Sequence, residues 1–246
     1  MVAHDDTFVR ERQRFYEEQY RGKEPMDAWH AYCQRVVHKT ARRWYYAFGK
    51  HRGSRVLNAG SGGSDYDITE SMIHLDLFER KIAHCKDHLV ADIGNIPAAD
   101  NSFDVILCIG SVLNYADPLS GIREFSRILR AGGLLILEYE RSASPEYSRE
   151  NPFQRNCCRV KTFYGEAPTY LWVYGDGFVD GLLSAFGFAR IAEERFHILS
   201  SIVYAISGSI TIASRCAATD KVFRRVWPFK LAAANRMLAV EKLANQ

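Results

Sequence analysis

From Arg55 to Tyr139 the hydrophobic positions fall in short runs that alternate with stretches of helical spacing. Val56-Leu57, Met72–Leu77, His88–Ala91, Phe103–Ile109 and Leu134–Tyr139 read as five strands. Phe103–Ile109 has the apolar character of a central parallel strand covered on both faces. Phe78–Lys86 and Pro118–Arg130 carry helical spacing, and in the second Leu119, Ile122, Phe125, Ile128 and Leu129 form one apolar face. Strand–helix–strand alternation predicts a parallel sheet with right-handed crossovers.

The flanks follow other patterns. Residues 8–21 and Met26–Phe48 read as helices separated by Gly22 and Pro25, and the second places Trp29, Cys33, Val36 or Val37, Thr40 and Trp44 near one face. Residues 1–50 are expected to form an N-terminal helical lid. In the insertion 141–176, Arg159–Tyr164 and Thr169–Tyr174 flank Gly165-Glu166-Ala167-Pro168, which predicts an aromatic β-hairpin. Gly177–Phe186 reads as a helix, and Ala189–Phe196 with Ser201–Ile206 as a closing antiparallel pair. Ile198–Ser214 is uncharged but somewhat short for a membrane span, and its β-branched content predicts a buried strand. The central domain then covers 51–213, and 214–246 is expected to be a helical tail that packs on the sheet or forms a homodimer.

Composition narrows the class. Hydrophobic residues make up 47% and charged residues 25%, the balance of a globular chain. The net charge of +3 comes without a basic stripe, which argues against a nucleic-acid partner. Six cysteines include no C-x-x-C pair, so neither a metal site nor a disulfide framework is expected. The polar stretch Met1–Arg14 does not read as a secretory signal, and a cytoplasmic protein with reduced thiols is expected.

Four segments place polar or glycine residues at strand tips. Val56–Ser64 delivers a turn containing Gly60, Gly62 and Gly63, suited to wrapping the polar part of a nucleotide-like cofactor. Asp76 closes the second strand, where a carboxylate can accept from both ribose hydroxyls. Asp92 follows the third strand and can accept from an exocyclic amine, with Ile93 covering a purine face or, alternatively, Asp92 capping a helix. The fourth strand runs into Gly110-Ser111. Ligands of open α/β sheets sit at these carboxyl ends, at the switch in strand order.

With these segments, and with Ile128–Leu135 before the fifth strand, the chain resembles the class I S-adenosylmethionine (SAM)-dependent methyltransferases of the type 11 kind. The resemblance spans about residues 55–140, and more weakly to 206. It implies a Rossmann-like α/β fold, mostly parallel with a closing antiparallel strand and helices on both faces. It implies SAM as cofactor: Gly60, Ser61 and Gly62 along the methionine part, Asp76 on the ribose with Leu77 beside adenine, Asp92 and Ile93 at the adenine amine, and Ile109 and Gly110 near the methionine end. Tyr16, with its aromatic neighbours, would close over SAM as a lid. Asn58 stands where the family often has an acid, and the seven residues between Ser64 and Met72 leave room for only about two helical turns.

The acceptor is not readable from the motifs. Asn114, Tyr115, Tyr164 and Trp172 are candidates to line its site, with Glu140 or Tyr164 as a general base if the acceptor must lose a proton. A small molecule is the expected acceptor. A protein, lipid-linked or sugar acceptor, or SAM-dependent regulation without turnover, are the other readings.

Overall fold

The computed structural model describes residues 10, 14, 28–52, 55–68, 71–153, 155–164, 167–223 and 229–244, excluding the side chains of 162–164, 167, 168 and 230. The strands are β1 Val56–Ala59, β2 Met72–Asp76, β3 His88–Val90, β4 Phe103–Cys108, β5 Leu129–Glu140, β6 Cys157–Tyr164, β7 Ala167–Tyr174, β8 Phe188–Phe196 and β9 Asn235–Lys242. Seven form one sheet in the order β3-β2-β1-β4-β5-β9-β8. β3, β2, β1, β4 and β5 are mutually parallel, while β9 runs antiparallel to both β5 and β8. Strand order reverses between β1 and β4, which opens a crevice at their carboxyl ends.

Helices cover both faces because the central strands are apolar on both. On one face Leu57, Leu75, Ile106 and Leu137 pack against α3 (Pro118–Ile128) and α4 (Asp176–Ala185), through Ile122, Phe125, Val179 and Leu183. On the other, Val56, Val105, Leu107 and Ile136 meet Val37, Ala41 and Trp44 of α1 (Ala28–Trp44). Trp29, Cys33, Val37, Thr40 and Trp44 are buried, as the helical spacing predicts. Between β2 and β3 the expected helix shrinks to the single turn α2 (Glu79–Ile82), and Leu119 of α3 is exposed rather than packed. β6 and β7 form the expected hairpin as a separate two-stranded sheet.

The carboxyl-terminal third departs most from the sequence reading. Residues 214–246 are not a helical tail: β9 threads between β5 and β8. Its Met, Leu, Ala, Glu and Lys suit a helix locally, but β5 offers a row of unpaired backbone groups, and seven register pairs from Leu134↔Glu241 to Glu140↔Asn235 satisfy them. Ser201–Ile206 is not the closing strand, and Ile198–Ser214 is no buried strand. It forms two helices, α5 (Leu199–Ser207) and α6 (Ile210–Ala217), joined at Gly208. The buried Asp220 carboxylate accepts from the backbone N–H groups of Ile198, Leu199 and Ser200 and so caps α5 from a distant part of the chain. The lid expected from residues 1–50 lies outside the described residues except for α1 and the turns that follow it, and Tyr16 is among those outside. No helix among the described residues is long and apolar enough to cross a membrane.

A network of arginines and carboxylates, with Arg190 at its exposed edge, ties β5, β9, β8 and α4 together. Arg236, 1% exposed, donates to both oxygens of Asp180, to both of Glu193 and to the Tyr139 hydroxyl. Arg141 pairs in a fork with Asp176, and Arg195 bridges Asp176 and Glu193. Burial alone would raise the Asp176 and Glu193 carboxyls. Bonds and charge from Arg141 at Asp176, and from Arg236 and Arg195 at Glu193, hold both below the usual carboxylate range.

Removing one partner leaves the other charges uncompensated. Arg236→Met is expected to destabilise the protein by about 3–5 kcal/mol in urea unfolding; a loss under about 1 kcal/mol would show that the network is dispensable. Because Asp176 and Glu193 titrate lower when folded, their contribution is complete above the unfolded value near pH ~4 and disappears as pH falls through the depressed folded values. The urea midpoint of the wild type is therefore expected to drop on acidification in that window, and the drop should be smaller in Arg236→Met.

Candidate functional site

The tips of β1 and β2 are locked together by backbone geometry. The N–H groups of Gly60 and Ser61 both donate to the Leu75 carbonyl, at 2.7 and 3.0 Å. Gly60 has φ +71°, and a Cβ there would stand 2.4 Å from the Val112 side chain, so the close approach of the β4 tip requires glycine. The Gly62 N–H donates to Asp76 Oδ2 at 2.9 Å, and the Phe78 N–H to Asp76 Oδ1 at 3.0 Å. The buried carboxylate is thereby oriented, and its remaining lone pairs are available as acceptors. Ser61 is buried, and its hydroxyl accepts from the Gly63 N–H. Leu77 is half-buried beside Asp76.

Asn58 near the end of β1 has a buried Oδ1 without a hydrogen-bond partner. It is fully buried and its amide donates to the Ser64 carbonyl at 2.6 Å, closing the turn. The segment between β1 and β2 holds no helix among its described residues. Tyr66 and Asp67 take left-handed backbone conformations, and Tyr66 and Ile68 fill the space a longer helix would occupy against α1. The predicted two helical turns are replaced because so short a connection cannot both wrap the glycine turn and reach β2.

At β3, Asp92 Oδ1 accepts from the Gly94 N–H at 2.7 Å in a tight turn, with Oδ2 as its second acceptor. Ile93 is buried in the core against Gly121, so it does not cover a ligand face. Ile109 is likewise buried, and its carbonyl accepts from the Tyr66 hydroxyl. Gly110 is exposed with φ +90°, and a Cβ on it, as on Gly62, would meet nothing within 4 Å. Gly62 beyond β1 and Gly110 beyond β4 each border open space.

The Gly110 turn is held by Glu138 of β5. Its Oε2 accepts from the N–H groups of Gly110 and Ser111, at 2.9 and 2.7 Å, and its Oε1 accepts from the Asn235 amide at 2.6 Å. Burial raises this carboxyl against the pull of those bonds. Asn235 carries no sequence signal as a site residue, because it joins the site only through the unexpected strand β9.

The acceptor candidates divide. Asn114 is fully buried and exchanges bonds with the Glu140 backbone in both directions, while its amide also donates to the Trp172 carbonyl. It anchors the β6–β7 hairpin to β5 and is not placed to bind substrate. Tyr115 and Trp172 are half-buried, Tyr115 against the hairpin cluster and Trp172 against the main core. Tyr164 ends β6, with its side chain outside the described residues. Glu140 accepts from the Tyr147 hydroxyl.

Sequence reasoning missed Glu146, beside that pair. Burial, reinforced by the charges of Glu140 and Asp220, pushes its carboxyl up to about 8. His197 Nδ1 lies 4.0 Å from Glu146 Oε1. Burial, with His30 nearby, lowers His197 to about 3, so at neutral pH neither carries the charge of an ion pair. Glu146 Oε1 is buried without a hydrogen-bond partner. Only the fold, which packs the Pro145–Tyr147 turn against α5, distinguishes it from an ordinary loop glutamate.

A carboxyl raised in the folded state destabilises folding once the unfolded chain ionises. Glu146→Gln is therefore expected to be more stable than wild type at pH 8, by more than about 1 kcal/mol, with the advantage fading as pH falls through the unfolded value near ~4. Parallel thermal melts across that range check it; equal stabilities at pH 8 would mean that Glu146 ionises without penalty.

Comparison with known proteins agrees with this geometry. Residues 54–137 match a family model described as a methyltransferase domain. The demethylmenaquinone methyltransferase of Staphylococcus haemolyticus is 30% identical over 99 residues, 39% of this chain and 41% of that protein. A ubiquinone/menaquinone biosynthesis C-methyltransferase UbiE of Azotobacter vinelandii is 29% identical over 117 residues, covering 39% and 46%. The matched part thus spans less than half the length of these curated relatives. The crystal structure of a putative SAM-dependent methyltransferase from Listeria monocytogenes superposes with a TM-score of 0.57 at 14% identity, over 84% of this chain and 99% of that one, which shows a shared fold. Over residues 54–137 the chain is similar to the methyltransferase-domain family, and the sheet built on them has the fold of the Listeria protein.

Proposed function

We propose that this protein binds SAM across the tips of β1, β2 and β4 and transfers its methyl group to an apolar small-molecule acceptor. The observation that carries the reading is the 2.9 Å contact between the Gly62 N–H and Asp76, which fixes a carboxylate at the edge of the glycine turn. The chain's groups fit the cofactor. Asp76 accepts from the ribose hydroxyls, Asp92 Oδ2 from the adenine amine, and the open space beside Gly62 and beside Gly110 admits the methionine part.

When bound, SAM supplies a methyl group on a positively charged sulfur that leaves readily. What remains for the protein is largely to hold the acceptor in line and to keep water out. Glu138 serves by pinning Gly110 and Ser111, so that the wall of the crevice does not shift. An acceptor that must lose a proton has Glu140 at the β5 end, whereas Glu146, raised to about 8, is protonated at neutral pH and takes up a proton only once ionised above that value. The names of the relatives from Staphylococcus and Azotobacter favour a planar quinone-like ring, which suits the aromatic surroundings of Tyr115 and Trp172.

Titration calorimetry tests the cofactor. The wild type is expected to bind SAM, and Asp76→Ala to lose at least about 1.4 kcal/mol, a tenfold weakening. Absence of heat with SAM, or an unchanged affinity in Asp76→Ala, would sink the proposal. Glu138→Gln turns an amide towards N–H donors, so its SAM affinity is also expected to fall although Glu138 touches no ligand. Incubation with methyl-labelled SAM and a metabolite extract, followed by mass analysis for a product heavier by one methyl, tests turnover.

A further inference from the structure

α5 and α6 are built inside out. The fully buried positions of α5 are the serines Ser200 and Ser201, bonded to Asp220 and to the His197, Ile198 and Ala232 carbonyls. Those of α6 are Ala213 and Ala217, packed on Trp29 and Cys33. Three of the four isoleucines turn outward, Ile206 at 79% exposed, Ile212 at 47% and Ile210 at 40%, while Ile202 is half-buried. Val222, Phe229 and Leu231 continue the exposed apolar surface. A helix pair that turns small residues inward leaves its apolar side for a partner.

Charge selects that partner. No residue from Ile198 to Ser214 is charged. From Arg215 to Lys230 the sequence holds Arg215, Lys221, Arg224, Arg225 and Lys230 against a single acid, Asp220, which is buried in the α5 cap. Arg215 and Lys221 are exposed. An uncharged apolar tip with the exposed cations Arg215 and Lys221 next to it in the chain matches the surface of an anionic bilayer, where isoleucines enter the acyl boundary and cations meet headgroups. A second copy fits less well, since a two-fold contact through this patch would set Arg215 and Lys221 against their own duplicates.

We infer that the α5–α6 hairpin with Arg215 and Lys221 docks the protein peripherally on an anionic lipid surface. α5 lies against the Pro145–Tyr147 turn, so docking would present the Glu140–Glu146 side of the site to the bilayer, where an apolar acceptor resides. That last consequence rests on the methyl-transfer reading; the docking itself does not.

Flotation with phosphatidylcholine vesicles, with and without phosphatidylglycerol, tests the inference. The full chain is expected to float at least tenfold more with the anionic vesicles at about 0.1 M salt, and to be released at about 1 M. Ile206→Asp with Ile212→Asp should reduce flotation at least tenfold. Arg215→Glu with Lys221→Glu should remove the preference for anionic lipid. The inference is overturned if the wild type stays at the bottom of the gradient, if both variant pairs float as it does, or if light scattering shows a dimer that the isoleucine variants dissolve. SAM calorimetry on the same samples keeps the two readings apart: a chain that floats but gives no heat with SAM retains the docking surface and loses the methyl-transfer function.

Discussion

The carboxylate of Glu138 is the point through which three strands agree on where the crevice opens. It sits at the inner end of β5, receives the Asn235 amide of β9 on one oxygen, and holds the Gly110 and Ser111 amides beyond β4 on the other. A buried carboxyl bears a large desolvation cost unless its acceptors are filled, and here three donors fill them. The left-handed turn at Gly110 and Ser111 is therefore held from behind, with open space beside Gly110. Without β9 in the sheet, Glu138 would lack one of its donors.

The same last strand organises the other half of the sheet. β9 brings Arg236 against α4 and β8, where Arg141, Arg190, Arg195 and Arg236 face Asp176, Asp180 and Glu193 with several paired bonds. Such a network rewards one register, because a slip by one residue would turn Arg236 to the opposite face and bury it among apolar side chains. Asn114 does comparable work for the hairpin, spending its amide on backbone groups of β5 and β7. The polar groups of this domain thus fall into two kinds: those saturated by protein, which hold the frame, and those with acceptor capacity left at the strand tips, chiefly Asp76 and Asp92.

On the acceptor side the chemistry and the surface meet. Glu146 is kept protonated by burial close to the Glu140–Tyr147 pair, and the α5 helix that helps bury it is the same helix that carries Ile206 outward. A carboxyl kept neutral at pH 7 can donate a hydrogen bond but cannot take up a proton. Fold likeness alone does not choose among reactions. These side chains give the choice its physical content.

The sequence by itself determined the five parallel strands, the inward face of α1 and the meeting of Gly60–Gly63 with Asp76, since each depends on periodicity or turn chemistry within a few residues. It did not determine β9, whose composition suits a helix until the open edge of β5 supplies partners, nor α5 and α6, whose β-branched residues lack a strand to pair with and whose first turn is capped by Asp220. Nor did it show that Asn58, Ile93 and Asn114, at the expected strand ends, are buried. Tertiary structure alone decided these. A side chain's role at a strand tip depends on which distant groups fill its hydrogen bonds, and residues as far apart as Glu138 and Asn235 meet only when the sheet has closed.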